Sequence, residues 1–151
     1  MLWALAAMCG PLATVAQTGR EWQDPAVNEV NRLPMRASFE AGERMSLDGV
    51  WRFHWVRNAS ERPSGIERAD YDDASWGRMP VPGMWELNGY GDPIYVNIGY
   101  AWRGNFVNNP PEVPDAENHV GSYRRTFTLP ESWAGKDVSL SIGSATSNVY
   151  V

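Results

Sequence analysis

The sequence predicts an all-β protein of the β-sandwich class, on two observations. Short stretches in which apolar and polar residues alternate recur along it. Turn-forming residues lie spread between them, with 14 glycines and 11 prolines in 151 residues. Together these favour many short strands over long helices.

The first strand signal is "VWRFHWV", Val50 to Val56. Trp51, Phe53 and Trp55 share one parity, Arg52 and His54 the other, so the strand should present one aromatic face and one polar face. Asp48-Gly49 supplies the turn in front of it. The second is "SYRRTFTLP", Ser122 to Pro130, with Tyr123, Phe127 and Leu129 opposite Arg124, Thr126 and Thr128. The third is "VSLSIGSAT", Val138 to Thr146, with Val138, Leu140 and Ile142 on one face. "SNVYV" reads as the start of a fourth. A sheet that stopped there would leave unpaired backbone groups and an open apolar face, so the chain is expected to be a C-terminally truncated part of a longer protein.

The segments between strands are polar. Gln17 to Gly49 carries breaks at Pro25 and Pro34 and reads as an extended arm. Arg57 to Met79 is polar and contains one anchoring aromatic, Trp76. Asn108 to Gly121 holds three prolines and cannot be helical. The stretch "GYGDPIYVNIGYAW", Gly89 to Trp102, mixes turn residues with aromatics and fits neither a helix nor a plain loop.

Charge and cysteine content exclude several classes. The net charge is -5, from 13 Lys+Arg against 18 Asp+Glu, and no basic stripe occurs, so nucleic acid is not an expected partner. Cys9 is the one cysteine, which rules out an internal disulfide framework. It lies in the apolar run Leu2 to Ala16, which is shorter than the ~20 residues of a membrane span. That run resembles a signal-peptide core, and Thr14-Val15-Ala16 before Gln17 resembles a cleavage site, although the basic start is missing. Residues 1–16 therefore read as an incomplete signal peptide, which implies a periplasmic or secreted protein. A buried N-terminal helix or strand is the other reading of the same run.

A self-contained active site is not visible. His54 and His119 have no neighbouring Cys or His at metal-ligand spacing. No phosphate loop or nucleophile elbow occurs. Asp72-Asp73 and Glu112/Asp115 are carboxylates of the kind glycoside hydrolysis uses, but all lie in turn-like polar context. The aromatic stretch around Gly89 has the makings of a carbohydrate contact, because rings stack on sugar faces while Asn and Asp bond hydroxyls. Core packing of a β-sandwich is the competing reading.

Four motifs are more specific in combination. "LDGVWRFHW" (Leu47 to Trp55), "VPGMWELNGYGDPIYVNIGY" (Val81 to Tyr100), "NPPEVPDAENHVGSYRRTFTLPESW" (Asn109 to Trp133) and "VSLSIGSATSNVYV" occur in this order. They resemble the N-terminal sugar-binding domain of glycoside hydrolase family 2, in its large β-galactosidase branch. "REWQDPAVNEVNRLP" (Arg20 to Pro34) resembles the arm before that domain. The resemblance implies a jelly-roll β-sandwich of the galactose-binding-domain-like kind over residues 47–151, preceded by the arm, 17–46. It implies a retaining β-galactosidase whose two catalytic glutamates lie in a downstream TIM barrel, with none in this chain. The substrate would be a β-galactoside or oligosaccharide, and the arm and the family together point to a homo-oligomer.

By position, the asparagine of the family's "PIYxN" motif is Asn97, which would bond a sugar hydroxyl, with Val96 and Ile98 shaping its surroundings. The alternative for Asn97 is that it satisfies the backbone of its own turn. The family's arm helps hold Mg2+, with Na+ also expected in the full-length enzyme. The positions that correspond are the carboxylates of Glu21 and Asp24 and the carbonyl of Val27. Glu21 stands where Asp is typical, Asp24 where Asn is, and Ala101 where the family has Tyr-Pro. Three rivals stay open: another family 2 glycosidase of β-glucuronidase or β-mannosidase type, a stand-alone carbohydrate-binding module, and a purely structural jelly roll.

Overall fold

The computed structural model describes residues 21–35, 42–93, 111–146 and 148–151. The chain divides into two compact units, Met1–Phe39 and Glu40–Val151. In the first, Glu21–Gln23 forms one turn of 3-10 helix, and Glu29 pairs with Arg32 one turn on. The leader reading of residues 1–16 lies outside the described residues.

The second unit is built on a three-stranded antiparallel sheet. Its strands are β1 (Gly49–Val56), β2 (Gly77–Val81) and β3 (Val120–Arg124), in the order β2-β1-β3. β1 is the predicted first strand, and its alternation settles which residues face which side. Directly opposite residues share a face of a sheet. Met79 lies opposite Trp51, and Gly77 and Tyr123 lie opposite Phe53. That face is the core. Phe53 is 1 % exposed and Met79 is 0 % exposed. Around Phe53 stand Tyr123 at 4.7 Å, Tyr90 edge-on at 4.8 Å and Trp85 at 6.4 Å between ring centres.

The packing is close enough to select for small residues. A Cβ at Gly121 would collide with the Trp85 ring and with Phe53, so glycine here lets the rings cross the strand. Burial, with Glu86 nearby, pushes the Tyr123 phenol above its ordinary range, so it stays neutral in the sheet.

The opposite face is polar and is covered differently. Trp76 is buried and stacks on His54, 5.4 Å between ring centres, with Tyr71 edge-on to Trp76 at 5.6 Å. Arg124 reaches across from β3 and donates to the carbonyls of Ile66, Tyr71 and Arg68 and to the Asp73 carboxylate. One guanidinium thus ties together three carbonyls and a carboxylate of the polar segment 66–73.

Three strand readings need correction. The second predicted strand, Ser122 to Pro130, is β3 and ends at Arg124. Phe127 and Leu129 beyond it are exposed. Val138 to Thr146 is not a strand, nor are the described residues after Ser147; Val138, Leu140 and Ile142 are exposed. Alternation marks which face a strand would bury, but the ladder needs a neighbour, and these residues have none among the described ones. β2 is an element that the sequence did not announce. Gly77 and Pro80 argue against a strand by composition, yet Pro is admissible where a strand lies at a sheet's edge, as β2 does in this sheet.

Candidate functional site

Asn97 and Val96, the expected sugar contacts, lie outside the described residues, as do Ile98 and Ala101. The two stretches that lead to and from residues 94–110 are described, and both are fastened at the same end of β1.

The outgoing stretch begins with one 3-10 turn, Trp85–Asn88, closed by Gly89 and by the Tyr90 amide, which donates to the Trp85 carbonyl at 3.1 Å. Tyr90 then inserts against Phe53. Next comes Gly91, at φ 66, a left-handed conformation that glycine adopts without strain. A Cβ there would stand 3.4 Å from both Trp55 and His119, so the backbone passes close to these two rings. Trp55 and His119 are themselves edge-to-face at 4.9 Å.

The returning stretch is tied to residues 57–60, just beyond β1. Asp115 accepts from the Ser60 amide and the Ser60 hydroxyl, each at 2.7 Å, and its carbonyl accepts from the Ala59 amide at 3.2 Å. The Glu117 amide donates to Asn58 Oδ1, and Arg57 donates to both Glu117 carboxylate oxygens at 3.0 and 2.9 Å. His119 lies 3.4 Å from the same carboxylate. The hydrogen bond from Arg57, then that to His119, holds Glu117 below the ordinary glutamate range. Both bonds come from one nitrogen, Nη1, so this is a charge-assisted contact shared between the two carboxylate oxygens. Trp55 Nε1 is buried and has no hydrogen-bond partner among the described residues.

Three of the carboxylates considered for chemistry have structural partners. Asp72 accepts from the Ala74 amide at 2.9 Å, Asp73 pairs with Arg124, and Asp115 holds Ser60. The pinning residues Arg57, Glu117 and Ser60 were not singled out from sequence. Their partners are 55 to 60 residues away, and no local pattern reports that.

The arm residues sit in two successive turns of chain. The Asp24 amide donates to the Glu21 carbonyl and the Val27 amide to the Asp24 carbonyl, each at 3.0 Å. Asp24 Oδ1 accepts from the Ala26 amide at 2.9 Å. These bonds link Glu21, Asp24 and Val27 through two backbone turns, and one Asp24 oxygen is already used by its own turn. The described residues contain no group of three or more His, Cys, Asp or Glu that could hold a metal ion. Two carboxylates and a carbonyl are hard oxygen donors of the kind Mg2+ takes, and they make half of its octahedral shell at most.

The described strands form an aromatic-centred antiparallel sheet with two loop stems fastened at one strand end, the frame of an all-β domain. Comparison with known proteins makes the class particular. Residues 44–151 match "Glycosyl hydrolases family 2, sugar binding domain", and the chain belongs to glycoside hydrolase family 2. Its fold is accordingly the jelly-roll sandwich of that domain.

Among its relatives is the β-galactosidase of Lactobacillus delbrueckii subsp. bulgaricus, 36 % identical over 150 residues, covering 91 % of this chain and 15 % of that protein. The β-galactosidase of Halalkalibacterium halodurans is 34 % identical, over 85 % of this chain and 14 % of its own length. That of Vibrio cholerae is 42 % identical, over 73 % and 11 %. The chain thus spans about one seventh of the length of the first two relatives. No helix among the described residues is long and apolar enough to cross a membrane.

Proposed function

We propose that this chain is the sugar-binding-domain portion of a β-galactosidase that hydrolyses terminal β-D-galactosides with retention. The observation that carries this reading is the agreement of its relatives: proteins named β-galactosidase align with most of this chain at 34 to 36 % identity. Retaining hydrolysis needs two carboxylates about 5–5.5 Å apart, one as nucleophile and one as acid and then base. In this reading both belong to a TIM barrel downstream, and the present chain supplies no catalytic group.

Its contribution is to bring a loop to the sugar. Asn97 bonds a hydroxyl of the bound galactose and Val96 shapes the pocket beside it. The fastening of residues 91 and 115–119 at the end of β1 supports the reading, since a loop rooted at both ends loses less freedom when it meets its ligand. Glu21, Asp24 and the Val27 carbonyl contribute to a Mg2+ site whose remaining ligands are waters and groups elsewhere in the full-length protein, where the ion adds positive charge near the substrate. Residues 1–16 direct the protein to the periplasm or outside the cell.

The test is a panel of aryl glycosides given to the full-length protein. Turnover of the β-D-galactoside well above the β-D-glucuronide and β-D-mannoside is expected. Preference for either of the other two would replace the proposal with a different family 2 activity. Absence of all turnover, with retained sugar binding, would make the domain a carbohydrate-binding module.

A further inference from the structure

The polar face of the sheet carries an unusual row. Arg78 of β2, Arg52 of β1 and Arg124 of β3 lie directly opposite one another, by the pairings Arg52↔Arg78 and Arg52↔Arg124. Directly opposite residues bring their Cβ atoms to within about 5.5 Å, and like charges so placed destabilise a sheet. A chain of net charge -5 has here put three guanidinium groups at one level of its sheet, with Arg125 beside them.

Their partners are unequal. Arg124 is satisfied by three carbonyls and by Asp73, at 2.5 Å from the carboxylate. Arg125 bonds the Leu47 and Asp48 carbonyls through one nitrogen, Nη1. Among the described residues, the Arg52 side chain has a distant ion pair, Nε to Asp73 at 3.8 Å, and a 3.4 Å bond to the Trp76 carbonyl. The Arg78 side chain makes no hydrogen bond or ion pair among the described residues. A cavity of about 180 Å³ opens over Arg52, Asp73, Arg124, Arg125 and Thr126, and one of about 250 Å³ shares most of these and reaches Arg78. Four guanidinium groups thus line the two cavities against one carboxylate, and Arg52, Arg78 and Arg125 keep donors to spare.

We propose that this row is an anion site that takes a small free oxyanion of the phosphate or sulfate class. The anion receives N–H donors from Arg52 and Arg78, with Arg125 at its rim. Its charge relieves the repulsion between β1 and β2 that Asp73, already drawn to Arg124, does not. Guanidinium forks match the geometry of a tetrahedral oxyanion, and charge-assisted bonds are the strong ones. The site lies on the sheet face opposite Phe53 and Tyr90, apart from the loop stems at the end of β1.

The experiment is isothermal titration of inorganic phosphate, and separately of sulfate, into the intact protein in low-chloride buffer. One saturable site per chain is expected. Arg78→Gln should weaken it by about tenfold or more, the loss of charge-assisted donors. Arg78→Glu, which puts a carboxylate opposite Arg52 and so supplies the counter-charge from within, should abolish it. Lys136→Gln, at a surface pair with Glu43, should leave it unchanged. Both Arg78 variants change an exposed side chain without partners among the described residues, and an unchanged urea midpoint checks that folding is kept. No saturable heat from the wild type, or equal affinity in wild type and both Arg78 variants, would overturn the proposal.

Discussion

The two faces of the β2-β1-β3 sheet are held by different physics. On one, Phe53 and Met79 are sealed by Tyr90, Trp85 and Tyr123, and stability comes from removing apolar area from water. On the other, Arg52, Arg124 and Asp73 stay partly exposed, and order comes from charge and from the His54–Trp76 stack. The aromatic face leaves no room for a side chain at Gly121, whereas the arginine face carries partly exposed charges. The loop stems that lead to and from Asn97 borrow from both, with Gly91 packed on Trp55 and Glu117 ion-paired to Arg57.

The sharpest way to break the aromatic face is to overfill it. Gly121→Val should destabilise the domain by about 1–3 kcal/mol or more, because the new side chain meets Trp85 and Phe53 with no room to give. Phe53→Ala should cost about 3–5 kcal/mol by opening a cavity in place of the central ring. Urea midpoints of the intact protein, followed by tryptophan fluorescence, would read both changes.

Asp73→Asn tests the arginine face. It removes the charge of the one carboxylate that faces the row among the described residues but keeps the volume, and should cost about 1–3 kcal/mol through the charge pairing lost from Arg124 and Arg52. The loss should shrink in high salt, since the Asp73 and Arg52 side chains are 25 % and 38 % exposed. An equal loss at low and high salt would mean that shape, not charge, holds this face.

Gly91→Ala addresses the loop stem. At φ 66 a Cβ costs about 1 kcal/mol, and the stem would shift away from Trp55 and His119. The expected signature is a larger effect on kcat/KM for a galactoside than on the unfolding midpoint. Comparable effects on both would assign Gly91 to stability alone.

The smallest effect belongs to pH. Glu117 and Asp70 are both held below their ordinary ranges, by Arg57 and by Arg68. A lowered folded-state pKa gives stability that is present above the unfolded value and is lost as pH falls through the folded one. The acid limb of stability should therefore flatten slightly in Glu117→Gln, measured below the ordinary carboxylate range. Both groups are exposed, so the change should be small and suppressed by salt.

Much of the sheet was legible and much of its extent was not. β1 was written in three aromatics at alternate positions, and its polar face in Arg52 and His54. β2 was hidden because Gly77 and Pro80 disfavour strands on their own, and pairing with β1 supplies what local preference lacks. β3 was displaced because Gly121 reads as a turn residue, although here it is the gap through which Trp85 reaches Phe53. Phe127 and Leu129, and Val138, Leu140 and Ile142, carried two strands' alternation without a pairing neighbour among the described residues. At the site, Asn97 could be named only through resemblance. The bonds Asp115–Ser60 and Glu117–Arg57 join residues too far apart in sequence for any spacing rule to find.

The most direct measurement is kcat/KM for an aryl β-D-galactoside, in the full-length protein and in its Asn97→Ala variant. One lost hydrogen bond to the sugar predicts a fall of about threefold to tenfold, with the unfolding midpoint unchanged. Equal kcat/KM in the two proteins would contradict the claim that this domain reaches into the galactose pocket.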